Sequence, residues 1–456
     1  MTLPEADLRS ISEIAPLIAS GAISPVDLVR RCLARIDGRR ELNAFITVMA
    51  REALADGERA AAEIAAGRCR GPLHGVPVSV KDLVDVAGTP TTSGSAVPPL
   101  RPTRDAPIVS RLRDAGAIII GKTNLHEFAF GTTTEETAFG VVRNPYDRSR
   151  SAGGSSAGAA VALVEGMCYG SIGTDTGGSI RIPSAACGTV GLKPTTLELS
   201  CEGIVPLSTT CDHVGPMTRT VRDARLMFEA LAEEPLPTIT GARTFVLGVP
   251  TGYLLARLDR EVRTSFDAVR KRLAAAGHEI HDVELDSAEI TPDVYLHIVL
   301  PEASQYHASL LAKHADAYSP GVRLRLEMGR YLLAEDYVRA MQLRTLLMAN
   351  VDRAMDGCDA LLLPALPIPP PLLGADTVDI GGSAEPVRAA MLRLTQLFNI
   401  TGHPAIAVPA GRTATGLPIG MQLVGQWGET ARLLALAEAV EDQITGGAGS
   451  VGGGTG

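Results

Sequence analysis

The chain has 456 residues, of which 45% are apolar and 20% charged, and a formal net charge of −9. A chain of this size and balance buries a large core without disulfide or metal staples. Its acidic charge argues against nucleic acid as a main partner, because that partner demands a basic surface.

Residues 1–66 read as helical. Ser24-Pro25 supplies a capping side chain and a first-turn proline, and apolar residues then recur at helical spacing from Val26 to Ile36. A further helix is predicted from about Arg51 to Ala66. The pattern changes at residues 70–225, where short apolar runs alternate with Gly-rich turns. Val76 to Val80 reads as a strand ending at Lys81, Ile108 to Ala115 as a helix, Ala117 to Gly121 as a buried strand, and Asn124 to Phe130 as a helical turn. Arg143 to Arg150 carries three arginines and reads as a solvated loop. Phe245 to Val249 and Glu279 to Val283 are predicted strands flanking a helix over Glu261 to Ala275. Residues 290–356 are helical by pattern, and a cap over a site is expected there. Asp359 to Leu363 is a buried strand before a proline-rich turn. A helix near 386–398, strands near 404–408 and 418–424, and a helix from about Glu429 to Ile444 complete the pattern. Residues 446–456 form a Gly-rich tail expected to be disordered. Alternating short strands and helices define an α/β architecture, read as a single domain over residues 1–445.

Seven scattered cysteines, with no Cys-x-x-Cys pair, read as reduced thiols. Met1 to Ser10 lacks the basic-then-apolar pattern of a leader, and no apolar run approaches the ~18 residues that span a bilayer. A cytoplasmic protein with no membrane partner is expected.

The chemistry concentrates between Gly153 and Gly191. Glycines ahead of a serine let several N–H groups point at one spot, as a developing oxyanion requires. Thr176, Gly177, Gly178 and Ser179 are the candidate donors, and a serine ending such a nest is placed to act as nucleophile. No histidine sits in a clearly catalytic setting. Lys81, at the end of an apolar strand, is the better base, since burial penalises its ammonium form. Ser155 is then placed to pass protons between Lys81 and Ser179.

Two other motifs compete. Gly154-Ser155-Ser156-Ala157-Gly158 fits the G-x-S-x-G elbow with Ser156 as nucleophile, but that elbow follows a buried strand and residues 144–152 are polar. Asp175-Thr176-Gly177 matches an aspartic-protease triplet, yet no second copy exists to share a proton. His278 and His281 lack further metal ligands, and His213 and His403 read as structural.

Lys81, Gly153-Gly154-Ser155-Ser156 and Gly173-Thr174-Asp175-Thr176-Gly177-Gly178-Ser179-Ile180-Arg181 together resemble the amidase signature family. Gly121-Lys122-Thr123-Asn124, Asp212-His213-Val214-Gly215-Pro216 and Asn399 to Pro404 extend the resemblance over about residues 5–445. Ala157 departs from it, since Gly or Ser is commoner there. The resemblance implies an amidase-signature fold, with a large mixed β-sheet covered by helices on both faces. It implies Ser179 as nucleophile, Ser155 as relay on a cis peptide bond, and Lys81 as base. Thr176, Gly177 and Gly178 then bind the oxyanion, and Asp175, Arg181 and Ser156 support the loop. No cofactor or metal is expected. The implied substrates are small-molecule amides, anilides or carbamates (urethanes), and a homodimer is possible. The family also contains the glutaminase-type subunit of glutamyl-tRNA(Gln) amidotransferase, which releases ammonia from glutamine. There an acidic residue is expected seven positions before the Asn of Asn-x-x-Gly-x-Pro, where this chain has Leu392. An inactive binding homologue is the remaining alternative, and the presence of all three residues of the triad argues against it.

Overall fold

The structure, a computed structural model, describes residues 6–232 and 244–446. All of the expected Gly-rich tail but Gly446 lies outside them.

The strands are β1 (Phe45–Val48), β2 (Pro77–Lys81), β3 (Ile118–Thr123), β4 (Gly170–Asp175), β5 (Val190–Lys193), β6 (His213–Thr218), β7 (Val246–Pro250), β8 (Glu279–Val283), β9 (Ala360–Pro364), β10 (Thr377–Asp379), β11 (Ala384–Pro386), β12 (Ala405–Arg412) and β13 (Pro418–Val424). Eleven of them form one sheet, in the order β1-β3-β2-β4-β6-β5-β12-β13-β9-β7-β8. β3, β2 and β4 run parallel, as do β9, β7 and β8, and the pairs between these groups are antiparallel. The sheet is therefore mixed.

Every residue of β2, β3, β4, β5, β6, β9 and β13 is buried. Side chains alternate between the faces of a strand, so both faces of this sheet are covered. Helices Val221–Leu231, Arg260–Ala275 and Thr430–Thr445 pack as one layer, and helices Ala157–Val164 and Arg181–Cys187 as another. The expected architecture is thus present. The sequence of helix Ala157–Val164, Ala-Gly-Ala-Ala-Val-Ala-Leu-Val, has no polar side and is buried all round. A methyl on Gly158 would stand 2.3 Å from the Ala44 carbonyl oxygen, so only glycine permits this approach.

Local signals explain most of the boundaries. Ser24 accepts the Val26 N–H at the start of helix Pro25–Gly38, and Ser10 forms a capping box with Glu13 ahead of helix Ile11–Ala19. Apart from the turn at Asn124 to Phe130, the strands and helices predicted within residues 70–283 fall within a residue or two of those observed. Three expectations need correction. Residues 1–66 are not wholly helical, because Phe45–Val48 pairs antiparallel with β3 at the sheet's edge. The turn at Asn124 to Phe130 is a 3-10 turn over Glu127–Ala129 only, interrupted at Phe128, whose φ is 48°. The helix near 386–398 is two short helices, Val387–Leu392 and Leu397–Ile400, preceded by the unforeseen hairpin β10–β11.

Residues 290–356 form helices Thr291–His314, Pro320–Gly329 and Ala334–Ala354. Carboxylates tie them to the body of the protein. Glu127 accepts the Ser319 N–H at 2.8 Å, and Glu136 accepts the Gly321 N–H at 2.7 Å. All seven cysteines are free thiols. Among the described residues, no helix is long and apolar enough to cross a membrane.

Candidate active site

Parallel β2 and β4 lie side by side, and the candidate residues gather at their carboxyl ends. Lys81 ends β2, Thr174 lies near the end of β4, and Ser179 follows in the turn before helix Arg181–Cys187. Ser155 enters from the segment before helix Ala157–Val164, and its peptide bond with Gly154 is cis.

Lys81 has no exposed surface. Its Nζ lies 2.7 Å from two hydroxyls, those of Ser155 and Thr174. Among the described residues, no carboxylate touches it. Burial pushes its pKa down to about 7, partly opposed by the more distant Asp175 and Asp212. Two other lysines are equally buried but differently satisfied. Lys122 Nζ pairs with Asp82 Oδ1 at 2.7 Å, and Lys193 Nζ donates to the Pro194 carbonyl. Only Lys81 faces a serine. A neutral amine there has two N–H groups and one lone pair, so it can donate to Thr174 and accept from Ser155.

Ser155 has no exposed surface and Ser179 is 6% exposed, so of the lysine and two serines only Ser179 meets the solvent side. The Ser156 N–H donates to the Ser179 carbonyl at 3.2 Å, and Ser156 Oγ donates to the Thr174 carbonyl. These bonds hold the two serine segments together. Among the described residues, the backbone N–H groups of Thr176, Gly177, Gly178 and Ser179 make no hydrogen bond to the protein. Four successive unpaired donors in a buried loop are the feature that an anion-binding nest requires. The next donors are spent, since Asp175 Oδ2 accepts the N–H groups of Ile180 and Arg181.

Asp175 and Arg181 are fully buried and form a pair with Nη2 to Oδ1 at 3.0 Å. Asn399 donates to Asp175 Oδ1 at 2.8 Å, and Arg181 donates to Asn399 and Gln422. Burial raises the Asp175 pKa, but Arg181 and Asn399 outweigh it and hold the carboxyl well below the usual range. His213 has Nδ1 between the Cys211 and Asp175 carbonyls and Nε2 at Thr196 Oγ1. The first nitrogen must therefore carry the proton, and burial keeps the ring neutral.

Several neighbours were given no role by the sequence, although Thr174 and Asp212 lie within its motifs. Thr174 is the second hydroxyl on Lys81. Asp212 accepts the Thr176 hydroxyl at 2.5 Å and the N–H groups of Leu207 and Ser208, and burial raises its pKa to about 6. Thr395 Oγ1 donates to the Gly177 carbonyl at 2.5 Å. A methyl on Gly177 would stand 2.6 Å from Tyr295 Oη and 2.9 Å from Leu392 Cδ2. Tyr295 belongs to the first helix of 290–356, so this segment does reach the site. The Asp-His-Val motif pointed at residue 212 without giving it a role, and nothing local pointed at 395 or 295.

A cavity of about 480 Å³ opens beside these groups. Thr174, Thr176 and Asp212 form its polar side, and Leu83, Ile204 and Leu207 its apolar side. Neither Ser179 nor Lys81 lines it, so it flanks the reacting atoms. Its size is that of a small-molecule pocket. Among the described residues, no three His, Cys, Asp or Glu side chains converge as a metal ion would need.

The mixed sheet and the relatives of this chain mark an amidase-type hydrolase of carbon–nitrogen bonds. The chain belongs to the amidase family, whose sequence profile matches residues 27–434. It is 38% identical over 426 residues to an amidase of Pseudomonas putida, covering 90% of each chain. It is 36% identical over 494 residues to a glutamyl-tRNA(Gln) amidotransferase subunit of Anaeromyxobacter dehalogenans, covering 97% of this chain and 98% of that one. A crystal structure of an amidase superposes with a TM-score of 0.92 at 40% identity, over 96% of this chain and 100% of the other.

Proposed function

We propose that this chain is a free-standing amidase acting on apolar small-molecule amides or anilides, with carbamates as a related substrate class. Neutral Lys81 accepts the proton of Ser155, and Ser155 accepts that of Ser179. Ser179 Oγ attacks the carbonyl carbon. The oxyanion is held by N–H groups of Thr176 to Ser179, where preorganised donors stabilise charge without reorganising. The proton returns through Ser155 to the departing amine nitrogen, the C–N bond breaks, and an acyl-enzyme ester remains on Ser179. Water then attacks the ester, giving its proton to the same relay, and releases the acid. Thr174 holds the second side of the amine, and Asp175, Arg181 and Ser156 hold the loops.

One observation carries this reading: a fully buried lysine, with no carboxylate partner among the described residues, lies 2.7 Å from the Ser155 hydroxyl. A structural lysine gains most from an anion, as Lys122 does, whereas a base gains from its absence.

The second reading is a glutaminase component of a tRNA-dependent amidotransferase, favoured by the amidotransferase relatives. Against it stands Leu392, an apolar side chain beside Gly177. A free amino acid brings an ammonium group that an apolar contact leaves unpaired. The deciding experiment is hydrolysis of an aryl acylamide, an aryl carbamate, an aryl ester and glutamine by wild type and Ser179→Ala. Activity on the aryl compounds that vanishes in the variant supports the proposal. Activity on glutamine alone replaces it with the second reading.

A further inference from the structure

We infer that Thr395 is a positioning residue for the oxyanion-binding loop, acting on the Gly177–Gly178 peptide. The inference rests on the proposed role of Ser179 as nucleophile.

Gly177 and Gly178 are the most pliable point of the site. With no Cβ on either, the peptide between them rotates at little steric expense. An oxyanion site built there works only if something fixes that rotation, since its advantage lies in donors already aimed. Thr395 supplies the fixing contact. It is fully buried, and its hydroxyl donates to the Gly177 carbonyl at 2.5 Å. In a trans peptide the C=O and the following N–H point in opposite directions. Holding the Gly177 carbonyl on the Thr395 side therefore presents the Gly178 N–H on the other side. The next peptide is held in the same manner, because the Ile182 N–H donates to the Gly178 carbonyl at 2.6 Å. Two pinned carbonyls leave the Gly178 and Ser179 N–H groups unpaired and aimed.

The close approach also accounts for glycine at 178. Its φ is +137°, and a methyl there would stand 2.3 Å from Thr395 Oγ1. Thr395 is itself fixed by its N–H, which donates to the Leu392 carbonyl at 3.1 Å. The segment that sets Leu392 against Gly177 thus also orients the peptide.

The test compares Thr395→Val, Thr395→Ser and Thr395→Ala on an aryl acylamide, with two competitive probes. Phenylboronic acid forms a tetrahedral adduct with an anionic oxygen, and benzyl alcohol occupies the site without one. Thr395→Val is expected to lower kcat by roughly tenfold to hundredfold, the loss of part of one oxyanion donor. KM and benzyl alcohol affinity stay within about threefold, and phenylboronic acid affinity falls in parallel with kcat. Thr395→Ser, which keeps the hydroxyl, recovers most of the rate. If Thr395→Val does not fold, Ser against Ala decides, because both remove the methyl and only Ser keeps the donor. Equal kcat in folded Val and wild type, or equal kcat in Ser and Ala, overturns the inference. So does a parallel loss of both probes. If Ser179→Ala retains wild-type activity, the failure belongs to the nucleophile assignment instead.

Discussion

The Lys81 amine lies 2.7 Å from the Ser155 hydroxyl, and neither residue has any exposed surface. Burial holds the lysine pKa near 7, so it is charged in acid and neutral in mild base. Only the neutral form accepts a proton. The expected profile of kcat/KM therefore falls about tenfold per pH unit below pH 7 and levels off above it. Lys81→Met removes that limb and lowers kcat by roughly a thousandfold or more, the scale of losing a general base. A wild-type profile flat from about pH 5.5 to 8.5 contradicts the assignment of Lys81.

The ion pair of Asp175 and Arg181 is sealed from solvent, and each partner is also bonded to Asn399. Removing one charge strands the other. Asp175→Asn is expected to destabilise the fold by about 3–5 kcal/mol, measured as a lower midpoint in urea. The double variant Asp175→Asn, Arg181→Met is expected to lie closer to wild type than the sum of its singles, because no charge is left buried alone.

Glu302, on helix Thr291–His314, accepts the Ser208 hydroxyl at 2.6 Å, the Thr210 N–H at 3.1 Å and the Tyr337 hydroxyl at 2.9 Å. The loop it clamps leads to Asp212 and forms part of the cavity wall. Glu302→Ala leaves these donors without their acceptor, at about 1–3 kcal/mol. Its expected kinetic signature is a KM raised severalfold for aryl substrates, with kcat changed less. An unchanged KM would mean that the cap segment packs without shaping the site.

Leu392 touches Gly177 from a short helix. Leu392→Asp places a carboxylate against an apolar substrate, and kcat/KM for an aryl amide should fall more than about tenfold. Leu392→Met should stay within about threefold, since volume and polarity are kept. Equal activity of Leu392→Asp and wild type would remove the argument against glutamine.

The candidate catalytic stretch was legible because its parts are local in sequence. A strand ending in lysine and two Gly-Ser turns each carry their own backbone requirement, and β2 and the turn at Ser179 followed from them, whereas β4 between the turns was not foreseen. What was illegible depends on partners far along the chain. β1 is a strand only because β3 offers an edge to Phe45–Val48, and its residues alone read as a continuation of the helices. Thr395 lies 218 positions from the carbonyl it holds, and Glu302 92 positions from Thr210. A lone buried threonine or glutamate has no signature until the fold supplies its donors and acceptors. The break between helices Val387–Leu392 and Leu397–Ile400 has the same origin, since the turn there brings Thr395 to Gly177.

The central claim is that Ser179 carries the acyl group, and the most direct measurement is acid-quenched mass spectrometry of the protein during turnover of an aryl ester. The expected result is one added acyl mass, mapped to the peptide bearing Ser179, retained in mildly acidic quench and absent from Ser179→Ala. An acyl group mapped to Ser155, or turnover by Ser179→Ala at the wild-type rate, would contradict it.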